Sequence, residues 1–466
     1  MNSQLKIGLL PLYLKLYDEI MPDLRRAFDP FLDEIGKGFE KRGIRVLKAR
    51  ITRTSGECRR TLSMFRRQGA QAVVTVHLAY SPSLESADAL RETGLPVVML
   101  DTTMDLSFGT AVKPDRIMYN HGIHGVMDLA SVLRRRGHPY AVVAGHSRSD
   151  PHVLDRAAGF VRAAAAAGYL RRTKALLIGR PFRGMGDFAV SDSVLRQFGI
   201  TVNRASVSDV EKAAASVETA DVRREVAADR RRFECEIGAE DHERSVRVGL
   251  GVRSLIRERQ CDAFSFNFLS FDRSSGPACT VPFLESSKAM ERGVGYAGEG
   301  DVLTAALVGA LQRAFGRTTF TEIFCPDWRG NSLFLSHMGE INPRVSAAKP
   351  VIVLKEEYRF SGALPPAIVV CAAAPGPAVF VNLAPCPKGE MTLIVAPVTV
   401  LQDARDPSMR RSVRTWIRPA SGSVAAFLEA YSNAGGTHHS ALVLGGSAES
   451  LAAMGRFAGV NVVVID

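Results

Sequence analysis

The chain has 466 residues, 46% of them hydrophobic and 23% charged, with a formal net charge of +11. That length suggests two to four domains, and no run approaches the roughly 20 apolar residues of a membrane-spanning helix, so a helical membrane protein is excluded. The arginines are dispersed, and their densest runs, at 134–136 and 230–232, read as solvated helix faces, which argues against a nucleic-acid partner and leaves an anionic substrate open.

The seven cysteines are scattered and never form a C-x-x-C pair, so neither a disulfide framework nor a zinc knuckle is expected. The N-terminus runs straight into a strand-like Ile7-Gly8-Leu9-Leu10 without the apolar region of a secretory signal, so a cytoplasmic location is expected.

In chain order, apolar runs at 6–12, 45–51, 72–77, 96–100 and 140–143 read as strands, with amphipathic stretches at 18–42, 58–68, 82–93 and 122–136 between them. Such alternation predicts a parallel, doubly wound sheet that binds ligands beyond the carboxyl ends of its strands, here a Rossmann-like domain over 1–170. A second alternation predicts another over 171–316. It has strands at 175–179, 199–202 and 263–266, one long charged helical stretch over 208–260, and a helix at 302–315. Beyond it, short β-rich runs at 332–336, 351–354, 367–371, 378–383 and 391–400, separated by Gly and Pro, predict a small barrel or sandwich over 317–466. One helix at 424–434 and a last strand at 460–465 close the chain, which is of the α/β class with a β-rich tail.

Four residues stand out for chemistry. Glu299 lies in the glycine-bracketed turn Gly295-Tyr296-Ala297-Gly298-Glu299-Gly300-Asp301, ahead of an apolar run. Glu322 follows Thr318-Thr319-Phe320-Thr321, His337 ends the run Ser332-Leu333-Phe334-Leu335-Ser336, and His439 closes Gly435-Gly436-Thr437-His438-His439. Taken singly, each has an ordinary reading: a carboxylate at a helix start, a surface acid, a core histidine. If they converge, two carboxylates and two imidazoles can hold a divalent cation and leave positions open for a substrate.

Several segments carry a resemblance. Gly295 to Asp301 followed by Thr304-Ala305-Ala306-Leu307, Ser336-His337-Met338-Gly339-Glu340, and Ala434-Gly435-Gly436-Thr437-His438-His439 are similar to the L-arabinose isomerase branch of the L-fucose/L-arabinose isomerase family. Weaker matches run over 76–82, 120–125, 143–146 and 190–192, in the family's order. The resemblance implies two Rossmann-like domains followed by a β-barrel, a homotrimer or homohexamer with sites between subunits, and reversible aldose–ketose isomerisation of a small sugar. It implies Glu299, Glu322, His337 and His439 as ligands of Mn²⁺ (with Co²⁺, Mg²⁺ or Zn²⁺ as alternatives) and the two glutamates as the catalytic acid–base pair. It also implies substrate contacts from His124, which reaches a neighbouring subunit's site, and from Tyr80, Met185, Phe268 and His438.

Moving a carbonyl from C1 to C2 through a cis-enediol needs charge stabilisation at two oxygens and a carboxylate to carry a proton between carbons. Three departures from the family pattern bear on the substrate. Leu10 stands where the family has a sugar-contacting Gln, Ile323 stands where it has a second acid, and the chain ends at Asp466 without the family's C-terminal extension. The expectation is therefore an isomerase for a small sugar or sugar acid other than L-arabinose. The alternatives are an epimerase or oxidoisomerase with the same metal centre, or a sugar-binding protein on an isomerase scaffold.

Overall fold

The computed structural model describes residues 4–466 and divides them into two compact units. None of the described helices is long and apolar enough to cross a membrane.

The first unit comprises residues 4–168 with Arg456–Gly459. Its strands β1 (Lys6–Leu12), β2 (Arg45–Lys48), β3 (Ala72–His77), β4 (Val97–Asp101) and β5 (Tyr140–Ala144) form one parallel sheet in the order β2-β1-β3-β4-β5. The central strands are buried along nearly their whole length, the pattern of a sheet covered on both faces by helices. One helix packs so closely that a Cβ at Gly8 would lie 2.1 Å from the Phe65 ring. The order reverses between β1 and β3, which places the ligand-binding edge of such a sheet there.

The second unit, Tyr169–Gly455 with Val460–Asp466, holds the rest. Strands β6 (Lys174–Ile178), β7 (Thr201–Ala205), β9 (Ala263–Phe266) and β10 (Gly295–Ala297) make a parallel sheet in the order β10-β9-β6-β7. The almost wholly buried helix Val302–Phe315 lies directly on it, because Gly295 and Gly309 lack side chains. A Cβ on Gly295 would stand 2.0 Å from the Ala305 carbonyl and 2.6 Å from the Gly309 nitrogen.

The expected single helical stretch over 208–260 is instead three helices, Val207–Ala215, Thr219–Arg232 and Ala239–Glu258. The chain leaves the second at Phe233, which turns extended and buries its ring, and then forms strand β8 (Glu234–Glu236). Arg230 to Arg232 are exposed as expected, but Asp229 on the same helix is fully buried against Lys288 and His242. Packing on two sides overrides the solvated pattern that its charges suggest.

The tail is a closed barrel. It uses β11 (Thr318–Asp327), β12 (Ser332–Ser336), β15 (Gly376–Pro385), β16 (Met391–Val400), β17 (Thr415–Pro419) and β18 (His439–Leu444). Antiparallel pairing runs β15-β18-β11-β12-β17-β16 and returns to β15, so no edge strand is left open within the ring. Strand β19 (Asn461–Val464) adds parallel to β16, while β13 (Val351–Leu354) and β14 (Ala367–Val370) join β8 in a separate three-stranded sheet. Leu333, Leu335, Phe380, Ile394, Ile417 and Leu442 belong to the buried cluster at its centre. Helix Ala448–Ala458, unexpected from sequence, begins behind Ser447, whose hydroxyl accepts the Ser450 amide.

Candidate active site

Register in the barrel assembles the site. Glu322 on β11 pairs with His439, the first residue of β18, and with Ser336, the last residue of β12. His337 is the next residue after Ser336, so three chemistry-bearing side chains meet where the middle of β11 lies beside the end of β12 and the start of β18. Residues opposite one another in an antiparallel pair share a face, which sets Glu322 and His439 together. Glu299 arrives from the turn after β10. It has φ +62, an uncommon conformation for a residue with a side chain, costing on the order of 1–3 kcal/mol and held by its surroundings. The flanking glycines are obligatory: a Cβ on Gly298 would lie 2.6 Å from His337 Cε1, and Gly300 has φ +92 with Pro181 2.6 Å from its Cβ position.

The ligand atoms of Glu322, His337 and His439 lie within 4.8 Å of one another, and so do those of Glu299, His438 and His439. The two groups meet on His439. Its Nδ1 lies 3.1 Å from Asp301 Oδ2, and its Nε2 is buried with no hydrogen-bond partner among the described residues, 3.6 Å from Glu299 Oε2. His337 repeats the arrangement: Nδ1 lies 2.8 Å from Glu340 Oε2 and Nε2 3.9 Å from Glu322 Oε2. Each imidazole thus has one nitrogen fixed by a buried carboxylate and the other turned toward a glutamate, the usual setting of a metal-ligating histidine.

The supporting carboxylates are themselves held. Glu340 accepts the Tyr296 hydroxyl at 2.6 Å and the Gly339 amide at 2.7 Å. Asp301 uses its other oxygen, Oδ1, to accept the Thr304 amide at 2.9 Å, so one side chain caps the helix Val302–Phe315 and orients His439. Phe188 stacks on His439 at 5.2 Å, and Phe320 sets its edge against His337 and His439 at 4.7 and 5.0 Å. These rings cover the histidine side of the site.

Burial raises the Glu322 carboxyl, with the neighbouring histidines opposing. Burial would lower His337, but Glu340 outweighs it and the imidazole is raised; the same pairing overcomes burial at Glu340 and lowers its carboxyl. Burial also works against charge on His438, yet its bonds to Glu299 and Asp187 lift it to about 9.

The four proposed ligands fall in two groups that share His439, and His438, expected at the substrate, lies in one of them, its Nε2 3.6 Å from Glu299 Oε2 and its Nδ1 2.6 Å from Asp187. Phe268 is buried with its ring 5.8 Å from Phe182, whose amide donates to the Glu299 carbonyl at 2.8 Å. Met185 is half-buried, two residues from Asp187. Tyr80 and His124 belong to the other compact unit, where their rings meet edge to face at 6.4 Å.

Sequence reasoning missed Asp187, Asp301, Glu340 and Tyr296. The last three sat within the quoted motifs, three residues or fewer from a proposed ligand, and were open to recognition. Asp187 is 251 residues from its partner His438 and had no signal.

Two departures that pointed to a different sugar have another explanation. Leu10 lies inside β1, paired with Thr75, and is fully buried in the core of the first unit, where an apolar residue is what packing requires. Ile323 alternates with Glu322, pairs with Leu335 and packs on the barrel core, so it lies on the opposite face of β11 from the site.

Comparisons with known proteins give the family. The L-arabinose isomerase central domain matches residues 186–315, and the L-arabinose isomerase C-terminal domain matches residues 317–461. The L-arabinose isomerase of Acidothermus cellulolyticus is 28% identical over 83% of this chain and 79% of its own length. That of Nocardioides sp. is 29% identical over 90% and 85%. A transporter solute-binding protein from Agrobacterium vitis, solved with α-D-tagatopyranose, covers 67% of this chain and 90% of its own at 13% identity and a TM-score of 0.17, too low to bear on the fold. The chain belongs to the L-fucose/L-arabinose isomerase family. It is an enzyme of the aldose–ketose sugar isomerase class, an intramolecular oxidoreductase.

Proposed function

We propose that the enzyme depends on one divalent cation held by Glu299, Glu322, His337 and His439, and isomerises a small aldose through a cis-enediol. The observation that carries this reading is the buried, partnerless His439 Nε2 at the meeting point of two donor groups. An unpaired buried nitrogen is costly unless something accepts its lone pair, and a mixed oxygen and imidazole set without thiolates suits Mn²⁺ well. Bound there, the cation would supply charge stabilisation for the two oxygens of the enediol.

The chain's own groups do the rest. Glu299 and Glu322 share the proton work: one removes the proton on C2 and returns it to C1, while the other moves the hydroxyl proton between O1 and O2. Burial, which raises Glu322, favours its taking up a proton. His438, held by Asp187, donates from Nε2 toward the same space and positions a substrate oxygen. Phe188 and Phe320 exclude water, which limits loss of the transferred proton to solvent.

The family's homotrimeric or homohexameric assembly would bring Tyr80 and His124 to a site as residues of a neighbouring subunit. Because Leu10 lies in a core and Ile323 packs against one, neither position argues for or against L-arabinose. The test is a panel of aldoses with Mn²⁺, reporting ketose formation in deuterated water. Ketose with at most partial label at C1, as a shielded proton transfer predicts, and lost in both Glu299→Gln and Glu322→Gln, supports the reading. A C2-epimeric aldose as product would favour an epimerase. Turnover that survives complete removal of metal, or either substitution, would overturn it.

A further inference from the structure

Beside the site lies a cavity of about 300 Å³, within the roughly 300–1,000 Å³ range of small-molecule pockets. His337 forms part of its wall, so it adjoins the proposed metal centre. Phe324, Met338 and Ile368 make its wall apolar, and its two full cations are Lys355 and Arg411. No carboxylate lines it among the described residues.

Lys355 is the informative residue. It is half-buried, its ammonium donates to the Met338 carbonyl, and burial pushes its pKa down. The acid that acts on it, Glu340, is already committed to His337, Tyr296 and the Gly339 amide. A sheltered ammonium bonded to a carbonyl, with its nearby carboxylate bonded elsewhere, has lost hydration without gaining a direct ion pair, a cost that an incoming anion relieves. Arg411, also on the lining, is exposed, donates to the Leu354 carbonyl at 3.4 Å and is loosely paired with exposed Glu356 at 3.6 Å.

We propose that this cavity binds an anionic substituent at the end of the sugar remote from the carbonyl, with Lys355 as the main anion contact and Arg411 as a second cation on the lining. The substrate is then an acidic aldose, bearing a carboxylate or a phosphate ester. This rests on the isomerase reading and deepens it. The apolar wall covers the carbon chain, while His337 and its partners hold the carbonyl end. A charge-assisted hydrogen bond contributes about 1.5–3 kcal/mol, or about 10- to 100-fold in kcat/KM.

The experiment measures kcat/KM on the full-length, Mn²⁺-loaded protein for neutral aldoses, uronates and aldose phosphates, with the wild type, Lys355→Met and Lys355→Arg. The wild type is expected to prefer one acidic class. Lys355→Met should lower the acidic-to-neutral ratio at least tenfold and Lys355→Arg should restore most of it, while the two acidic arms identify the anion. Preference for a neutral aldose, or an unchanged ratio in Lys355→Met, overturns the proposal. Calorimetric titration with inorganic phosphate separates the two layers. If no aldose turns over but phosphate binding weakens at least tenfold in Lys355→Met, the anion site stands and the isomerase reading fails. If phosphate binding is absent and no acidic aldose turns over, the anion site fails.

Discussion

Asp301→Asn isolates the contribution of histidine orientation to metal binding. Asp301 Oδ1 accepts the Thr304 amide at 2.9 Å and Oδ2 faces His439 Nδ1 at 3.1 Å. Asparagine is nearly as good a helix cap as aspartate, so its oxygen keeps the Thr304 bond and the fold loses little. Its NH₂ must then face Nδ1, which can accept only by surrendering its proton to Nε2. A protonated Nε2 cannot be a ligand. Loss of such an outer partner weakens metal affinity about 10- to 100-fold, or about 1.4–2.7 kcal/mol. At a Mn²⁺ concentration of about 1,000 times the wild-type Kd, bound metal stabilises the wild type by about 4.1 kcal/mol. For a 100-fold weaker variant the same concentration gives about 1.4 kcal/mol. Thermal melts with and without Mn²⁺ and a direct titration read both quantities. Equal metal-induced stabilisation in the two proteins would refute the reasoning, whereas a large drop in the metal-free melt would show that Asp301 acts chiefly through the helix.

Gly298→Ala places a Cβ 2.6 Å from His337 Cε1 and should displace the imidazole, costing about 1–3 kcal/mol and most of the activity; wild-type turnover in this variant would contradict the packing. Lys288→Met leaves the buried Asp229 without its ammonium partner at 2.6 Å, and chemical denaturation should show a loss of about 3–5 kcal/mol. Glu225 gives a pH test. Burial would raise its carboxyl, but its bonds to Arg253 and the charge of Lys288 outweigh it and lower it from 4.5 to about 2. Its stabilising effect is therefore complete above about 4.5 and lost as pH falls through about 2. The stability difference between wild type and Glu225→Gln should shrink across that window, and a difference constant from pH 7 to pH 2 would rule the ion pairs out as its source.

The first unit was legible because its strands are buried on both faces and stand out as apolar runs between amphipathic helices, as at Ala72–His77 and Val97–Asp101. The charged stretch over 208–260 was not. Arg230 to Arg232 and Asp229 look alike in sequence, and only packing on the helix Phe283–Glu291 through Lys288 makes one solvated and the other buried. Strands β11, β17 and β18 also escaped notice. Thr318 to Thr321 and His439 to Leu444 have little local alternation to mark them, and antiparallel partners far along the chain complete them.

By itself, then, the sequence determined the α/β class, the family and the identity of four candidate ligands, because glycine-bracketed turns and paired histidines are local features. The tertiary structure decided which nitrogen of each histidine is turned toward a glutamate, through Asp301 and Glu340, and that Asp187 holds His438. It also placed Leu10 in a core and Ile323 against one, and left Lys355 sheltered on a cavity wall with no direct ion pair among the described residues. The physical reason is the same in each case. A residue's type limits the chemistry it can do, but protonation, orientation and burial depend on neighbours that only strand register and helix packing bring within reach.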